Sequence, residues 1–379
     1  MRFSDIPGHE DIKDRLRLMV SEGRVPHALL FEGPSGTAKF MLARAFAQYL
    51  HCTDRHDDDS CGKCPSCLQH QSFRHIDTVY SFPVIKKDNK PTISDDYRQE
   101  FVEFMSEGPF MDFNRWPVKL NNPNKRPAIY VEEGNELIRR MVYTAHASKF
   151  KIVLMWLPER MQEDAANKML KLIEEPTSDT LFLMASDNSR ALLPTIYSRV
   201  QRIKVKRYAN HEVERYLISE NGLAPETACD IAAVAEGDIN RALEIAEIAH
   251  NDNSDTAATN SLAMFIKLMR LAYQRDIASL KVWSNDVASL KREGILRFLD
   301  YCARMLRENF ILNLGVSGLN HMTTPEHNFS ANFARFVNER NVLKLFDEFN
   351  LASRDVAANG NPKIILFDLA ISVILLLKQ

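Results

Sequence analysis

Apolar positions at Ile12, Leu16, Met19 and Val20 recur at helical spacing. Ser4 or Asp5 can start that helix, and Gly23 and Pro26 can stop it. His27 to Phe31 is a short run that suits a buried strand; it leads into a glycine loop and a helix over 41–50. Between about 79 and 127 the chain is rich in aromatics and prolines and predicts a packed insertion with one helix near 95–105. The strand–helix rhythm then resumes, with helix over 134–147, strand over 151–157, helix over 163–174 and strand over 181–185. Short helices over 211–221, 226–235 and 240–250 follow, broken at Gly222 and Gly237. From about 262 onward only long amphipathic helices are predicted, apart from a polar loop near 318–328. The expected organisation is an α/β core over 1–207, a small helical lid over 208–255 and an all-α domain over 256–379.

Composition narrows the class. The 379 residues carry 48 basic and 50 acidic side chains, a net charge of −2, so no global positive field draws the chain onto nucleic acid or anionic lipid. The N-terminal segment carries charge at once and lacks an apolar signal core. The apolar stretch over 364–377 is interrupted by Asp368 and is too short for a bilayer. A cytoplasmic protein without a membrane partner is expected.

Four of the six cysteines, Cys52, Cys61, Cys64 and Cys67, crowd into sixteen positions, and the last three form two C-x-x-C steps sharing the middle residue. In a reducing compartment this density favours tetrahedral structural Zn²⁺ over disulfides. A thiol-exchange pair is the lesser alternative. Cys229 and Cys302 lie in apolar helical patterns and are expected in the core.

The glycine loop reads Gly33-Pro34-Ser35-Gly36-Thr37-Ala38-Lys39-Phe40. In a working phosphate loop, backbone N–H groups cradle phosphates, Lys reaches the terminal ones and a following hydroxyl holds Mg²⁺. Here Gly33, Gly36 and Lys39 remain, while Ala38 replaces a glycine and Phe40 the hydroxyl. The strand over 151–157 should end in acidic residues that hold Mg²⁺, yet it runs into Trp156 and Leu157, and Glu159 lies beyond Pro158. Both magnesium positions are lost, so no intrinsic ATP hydrolysis is expected. An autonomous P-loop ATPase taking its magnesium ligand from elsewhere is the alternative. A zinc-dependent nucleic-acid module is a third reading, opposed by the aspartates at 57–59.

Three segments carry a resemblance to the clamp-loader branch of the AAA+ ATPases. The run Arg24-Val25-Pro26-His27-Ala28-Leu29-Leu30-Phe31 precedes the loop. The segment Ala166-Asn167-Lys168-Met169-Leu170-Lys171-Leu172-Ile173-Glu174-Glu175-Pro176 is similar to that family's N-x-L-L-K-x-L-E-E-P helix end. Ser198-Arg199-Val200 resembles its S-R-C segment, with Val in place of Cys. The cysteines after the first core helix fit the same family, and Gly237-Asp238-Ile239-Asn240-Arg241-Ala242 resembles the second-sensor helix. The resemblance implies an AAA+ P-loop core with a parallel sheet, a helical lid and an all-α collar. It further implies Arg199, with Ser198, as an arginine finger acting in trans, and Arg241 beside a degenerate nucleotide site. The implied partners are ATP-hydrolysing gamma/tau-type motor subunits, a delta-type subunit, the sliding clamp and primer-template DNA, in a polymerase holoenzyme with nucleotidyltransferase activity. The insertion at 79–127 departs from the family's usual core, and Ser186-Asp187 stand where the first sensor would be.

Overall fold

In the computed structural model, five strands form one parallel sheet: β1 (Ala28–Glu32), β2 (Thr78–Ser81), β3 (Lys151–Trp156), β4 (Thr180–Ser186) and β5 (Gln201–Lys204). Their spatial order is β2-β3-β4-β1-β5. The structure describes all residues except 88–89, 109, 123–124, 142–144, 177–178, 252–256, 291, 317–319 and 379. The chain divides into two compact units, Met1–Leu223 with Ala235–Ala242, and Ala224–Val234 with Leu243–Gln379.

In the first unit β1, β3 and β4 are buried along their whole length, which explains runs of apolar residues without alternation. Helix α1 (Glu10–Ser21) starts later than the sequence signals indicate. His9 occupies the N-cap, and Ser4 and Asp5 instead belong to a single 3₁₀ turn, Phe3–Asp5. Helix α2 (Lys39–His51) is buried at every position, and α3 (Pro65–Gln71) follows the cysteine-rich loop. Two strands are shorter and less apolar than the rest. Sequence reading put β2 inside the insertion, and β5 presents three exposed polar residues around Ile203, so its alternation is faint.

The insertion folds as α4 (Arg98–Glu107) and the short α5 (Trp116–Lys119). It is packed, as its aromatics predicted. Phe82 and Phe101 stack at 3.8 Å, both meet Trp116 edge-on, and the Trp116 indole N–H donates to Pro83 O at 2.7 Å. Helix α6 (Val131–Met141) carries acids in its first turn and arginines in its last, matching the helix dipole. The expected extension of this helix past 141 falls partly on 142–144, outside the described residues. Helix α7 (Glu163–Glu174) agrees with its sequence pattern, and Pro176 lies just beyond it. It packs with α8 (Pro194–Tyr197) through Met169, Ile173 and Ile196. Helix α9 (Asn210–Asn221) closes the first unit's continuous stretch.

The second unit is wholly helical among the described residues. It holds α10 (Pro225–Ala235), most of α11 (Ile239–Asn251), α12 (Ala257–Gln274), α13 (Ile277–Ala288), α14 (Arg292–Asn313), α15 (Thr324–Phe333), α16 (Val342–Ala357) and α17 (Pro362–Leu376). Part of the predicted polar loop, 317–319, lies outside the described residues. The core is built on Phe265, Trp283, Phe298, Phe349 and Leu366. Cys302 is buried there as expected. Cys229 is exposed on α10, correcting its expected core position; a small helix leaves its polar stripe in solvent, and the cysteine sits on that stripe. No described helix is long and apolar enough to cross a membrane.

Candidate functional site

The glycine loop leaves the end of β1 and turns into α2, the strand–loop–helix arrangement its sequence predicts. Gly36 has φ +71°, and a Cβ there would meet Asp238 Oδ1 at 1.9 Å; at Gly33 it would meet Val205 O at 2.1 Å. Ala38 holds a left-handed conformation, φ +59°, and caps α2. The loop is pinned by the first turn of α11. Ile239 N donates to Gly36 O at 3.3 Å, and Asn240 Nδ2 donates to Ser35 Oγ and to Met111 O, each at 3.3 Å. Arg241, half-buried on the same turn, donates its amide to Asp238 Oδ1 at 3.2 Å.

Lys39 is buried, with Nζ in an ion pair 2.8 Å from Asp187 Oδ1, and it donates to Thr37 Oγ1 at 3.2 Å and to Pro34 O. Phe40 is buried too and packs edge-on against Phe101 of the insertion, ring centres 6.1 Å apart. The hydroxyl position has therefore become core. Phe40, Phe110, Met111, Trp156 and Asp187 close around the loop and leave a cavity of about 20 Å³. That volume holds about one water, whereas ligand pockets run to about 300–1,000 Å³. Sequence reading left the insertion without a role. Phe110 and Met111 had no signal beyond their apolar character, because what they cover is set by the fold.

Glu159, the acid nearest the end of β3, accepts from the amides of Asp187 at 2.8 Å and Asn188 at 3.0 Å through Oε1. Burial raises its pKa above the usual carboxylate range. It holds the segment that presents Asp187.

Arg199 lies away from this loop, after α8. Its Nε meets Glu174 Oε1, the last residue of α7, at 2.6 Å, and its Nη1 donates to Thr195 O at 2.9 Å. Ser198 Oγ donates to the same carbonyl at 3.1 Å and lies 3.4 Å from Arg199 Nη1. Arg199 and Glu174 are 40% and 41% exposed, so the pair is accessible from solvent.

The four cysteines converge as their spacing requires. Cys52 Sγ lies 3.5 Å from Cys61 and 3.9 Å from Cys64, and Cys61 lies 3.9 Å from Cys67; all four sulfurs fall within 4.8 Å of one another. Sulfurs about 2.3 Å from a tetrahedral Zn²⁺ are about 3.8 Å apart, so the residues fit this ion. Backbone amides of Cys61, Cys64 and Cys67 point at sulfurs 3.3–3.4 Å away, an environment made for thiolates. Burial works against the Cys64 thiolate, but donors from Cys67 and Thr53 outweigh it and bring its pKa to about 6. Burial pushes Cys52 and Cys67 up.

Beside the cysteines lies a group that sequence reading missed. His51, His70 and His75 are buried and mutually close, His51 and His70 each flanking the cysteine motif. His51 Nδ1 is 2.9 Å from His70 Nε2, His51 Nε2 is 2.9 Å from Phe150 O, and His75 Nδ1 accepts from Asp77 N at 3.2 Å. Rings of His75 stack on the other two, with centres 4.3 and 4.4 Å apart. Burial, with the neighbouring His75, lowers the His51 pKa to about 3, and burial lowers those of His70 and His75 as well; the three rings lie between α2, α3 and the entry to β3.

The family described as DNA polymerase III, delta subunit, matches residues 8–209, more than half of the chain. The chain belongs to that family. It is 23% identical over 270 residues to DNA polymerase III subunit tau of Escherichia coli (strain K12), covering 70% of this chain and 35% of that protein. It is 29% identical over 180 residues to DNA polymerase III subunit delta' of Haemophilus influenzae, covering 48% of this chain and 42% of that protein. The chain thus spans less than half the length of these relatives. Among solved structures, a DNA polymerase III gamma subunit-related protein from Thermotoga maritima aligns with 96% of this chain and 99% of its own, at 14% identity and a TM-score of 0.39.

Proposed function

We propose that this chain is a non-hydrolysing, delta-prime-type subunit of the loader that places the sliding clamp on primer-template DNA. It assembles with gamma/tau-type motor subunits and a delta-type subunit, and supplies Arg199 in trans to a neighbour's ATP site. The carrying observation is the closed phosphate loop: Lys39 is satisfied by Asp187 and only about 20 Å³ remains beside it. In this reading the loop is architectural. Arg199 keeps its charge at every working pH and presents a planar fork that suits phosphate oxygens. An arginine supplied in trans raises hydrolysis by about 10³–10⁵. Cys52, Cys61, Cys64 and Cys67 hold structural Zn²⁺, which ties the end of α2 to α3 and takes no part in chemistry.

The test is DNA-stimulated ATP hydrolysis by the cognate motor subunits reconstituted with this chain, intact or as Arg199→Ala, beside the chain alone. A silent lone chain and a slowed complex at unchanged assembly support the reading. The alignment to E. coli tau covers more of the chain than that to delta', which favours a second reading, an autonomous P-loop ATPase. Turnover by the lone chain would establish it.

A further inference from the structure

Glu174 and Arg199 belong to two motifs separated by 24 intervening residues, and the fold brings them to 2.6 Å. Glu174 ends α7, and Arg199 follows α8, its amide donating to Ile196 O at 3.0 Å. The two helices share one core through Met169, Ile173 and Ile196, so both backbone positions are fixed by packing. The guanidinium is held on two sides, Nε by the ion pair with Glu174 and Nη1 by the hydrogen bond to Thr195 O. Among the described residues Nη2 has no partner. An exposed ion pair of this kind adds little to folding stability.

We propose that Glu174 is the positioning residue of the arginine finger, an inference that rests on the trans-acting role given to Arg199 above. A free arginine samples many rotamers, and a phosphate contact made in the transition state loses rate when the donor is misplaced by as little as about 1 Å. Glu174 takes Nε and Thr195 O takes one proton of Nη1. The side chain is thereby fixed in direction, with Nη2 left for the phosphoryl oxygens of a nucleotide bound by the adjoining subunit. The contact with Nε is an ion pair, so it is the negative charge of Glu174 that holds the guanidinium.

The experiment measures kcat and KM for ATP in the DNA-stimulated reconstituted complex, with Arg199→Ala, Glu174→Ala and Glu174→Gln, together with thermal unfolding of each free chain. Glu174→Ala is expected to lower kcat about tenfold at unchanged KM, since orientation acts in the transition state. Glu174→Gln is expected to lose rate as Glu174→Ala does, because the neutral amide removes the ion pair with Nε. Unfolding temperatures are expected to stay unchanged. If Arg199→Ala has no effect, the trans-acting role fails and this proposal falls with it. If Arg199→Ala slows the complex while both Glu174 variants behave as intact chain, only the positioning role is overturned. Faster turnover or a lower KM in the Glu174 variants would make the carboxylate a competitor of the nucleotide and overturn it. Loss of rate in Glu174→Ala with Glu174→Gln behaving as intact chain would assign the effect to side-chain bulk and overturn it as well.

Discussion

Lys39 Nζ stands 2.8 Å from Asp187 Oδ1, and this pair occupies the place where a phosphate loop meets its nucleotide. The lysine comes from the first turn of α2, and the carboxylate follows β4 on a segment held by Glu159 through two backbone amides. A cation satisfied inside the chain has no charge to offer a phosphate unless the aspartate swings away. Phe40 on one side and Met111 on the other leave little room for such an exchange.

Replacing Lys39 therefore separates a structural lysine from a catalytic one. Lys39→Ala leaves Asp187 without its cation and Pro34 O with the Thr37 hydroxyl as its remaining donor. The expected cost is about 1–3 kcal/mol of unfolding free energy, at the low end because Asp187 is 28% exposed. ATP hydrolysis by the reconstituted complex should be unchanged. Urea unfolding and a steady-state ATPase assay check the two halves, and loss of hydrolysis at intact assembly would restore the lysine to phosphate binding.

Opening the cavity tests what closes it. Phe110 is buried against Tyr208 and Tyr216 as well as the loop. Phe110→Ala with Met111→Ala should cost about 3–5 kcal/mol for the phenylalanine alone. Weak binding of a fluorescent ATP analogue should appear, without turnover, because Phe40 leaves no magnesium ligand. Equilibrium binding to the intact and double-substituted chains reads this directly. Binding as strong in the intact chain would show that the loop opens unaided.

Much of this was legible in the sequence. Three wholly buried strands announced themselves as apolar runs, and cysteine spacing located the sulfur cluster because a tetrahedral set needs close, flexible steps. The expectation that both magnesium positions are lost rested on Phe40 and on Trp156 and Leu157. Illegible was whatever depends on packing between distant segments. Asp187 looks like any polar residue after a strand, and Phe110 and Met111 like any apolar pair. The His51–His70–His75 stack forms only when α2, α3 and the approach to β3 meet. The bounds of β5 were not legible because an edge strand with three solvated side chains has almost no hydrophobic signature.

Metal content is the next expectation. One Zn²⁺ per chain should be measured in purified protein, and Cys64→Ser should abolish it while leaving five free thiols. A chelator should lower the thermal unfolding temperature, since an ion bound only by the folded state adds its binding free energy to stability. The effect should centre on α3 and the end of α2, visible as faster amide exchange there. A full complement of six reactive thiols with no metal in native protein would remove the ion from the account.

Asp77 supplies a dependence on pH. Its carboxylate accepts from the amides of His146 at 2.7 Å and of Ala147 and Ser148 at 2.8 Å each, fixing the segment that enters β3. Burial opposes the charged form, but these three bonds outweigh it and hold the pKa below the ordinary 3.8. Because the folded-state pKa is depressed, the folded chain binds fewer protons than the unfolded one. The stabilisation is then fully present above about pH 3.9, the unfolded value, and is lost as pH falls through the folded value. Asp77→Asn turns one acceptor into an NH₂ group facing amides and should cost about 1–3 kcal/mol at pH 7. The gap from the intact chain should narrow in solutions acid enough to protonate Asp77 in the folded state. Urea unfolding of both chains at pH 7 and at successively lower pH measures this, and a gap that stays constant would show that the carboxylate's charge contributes nothing at this position.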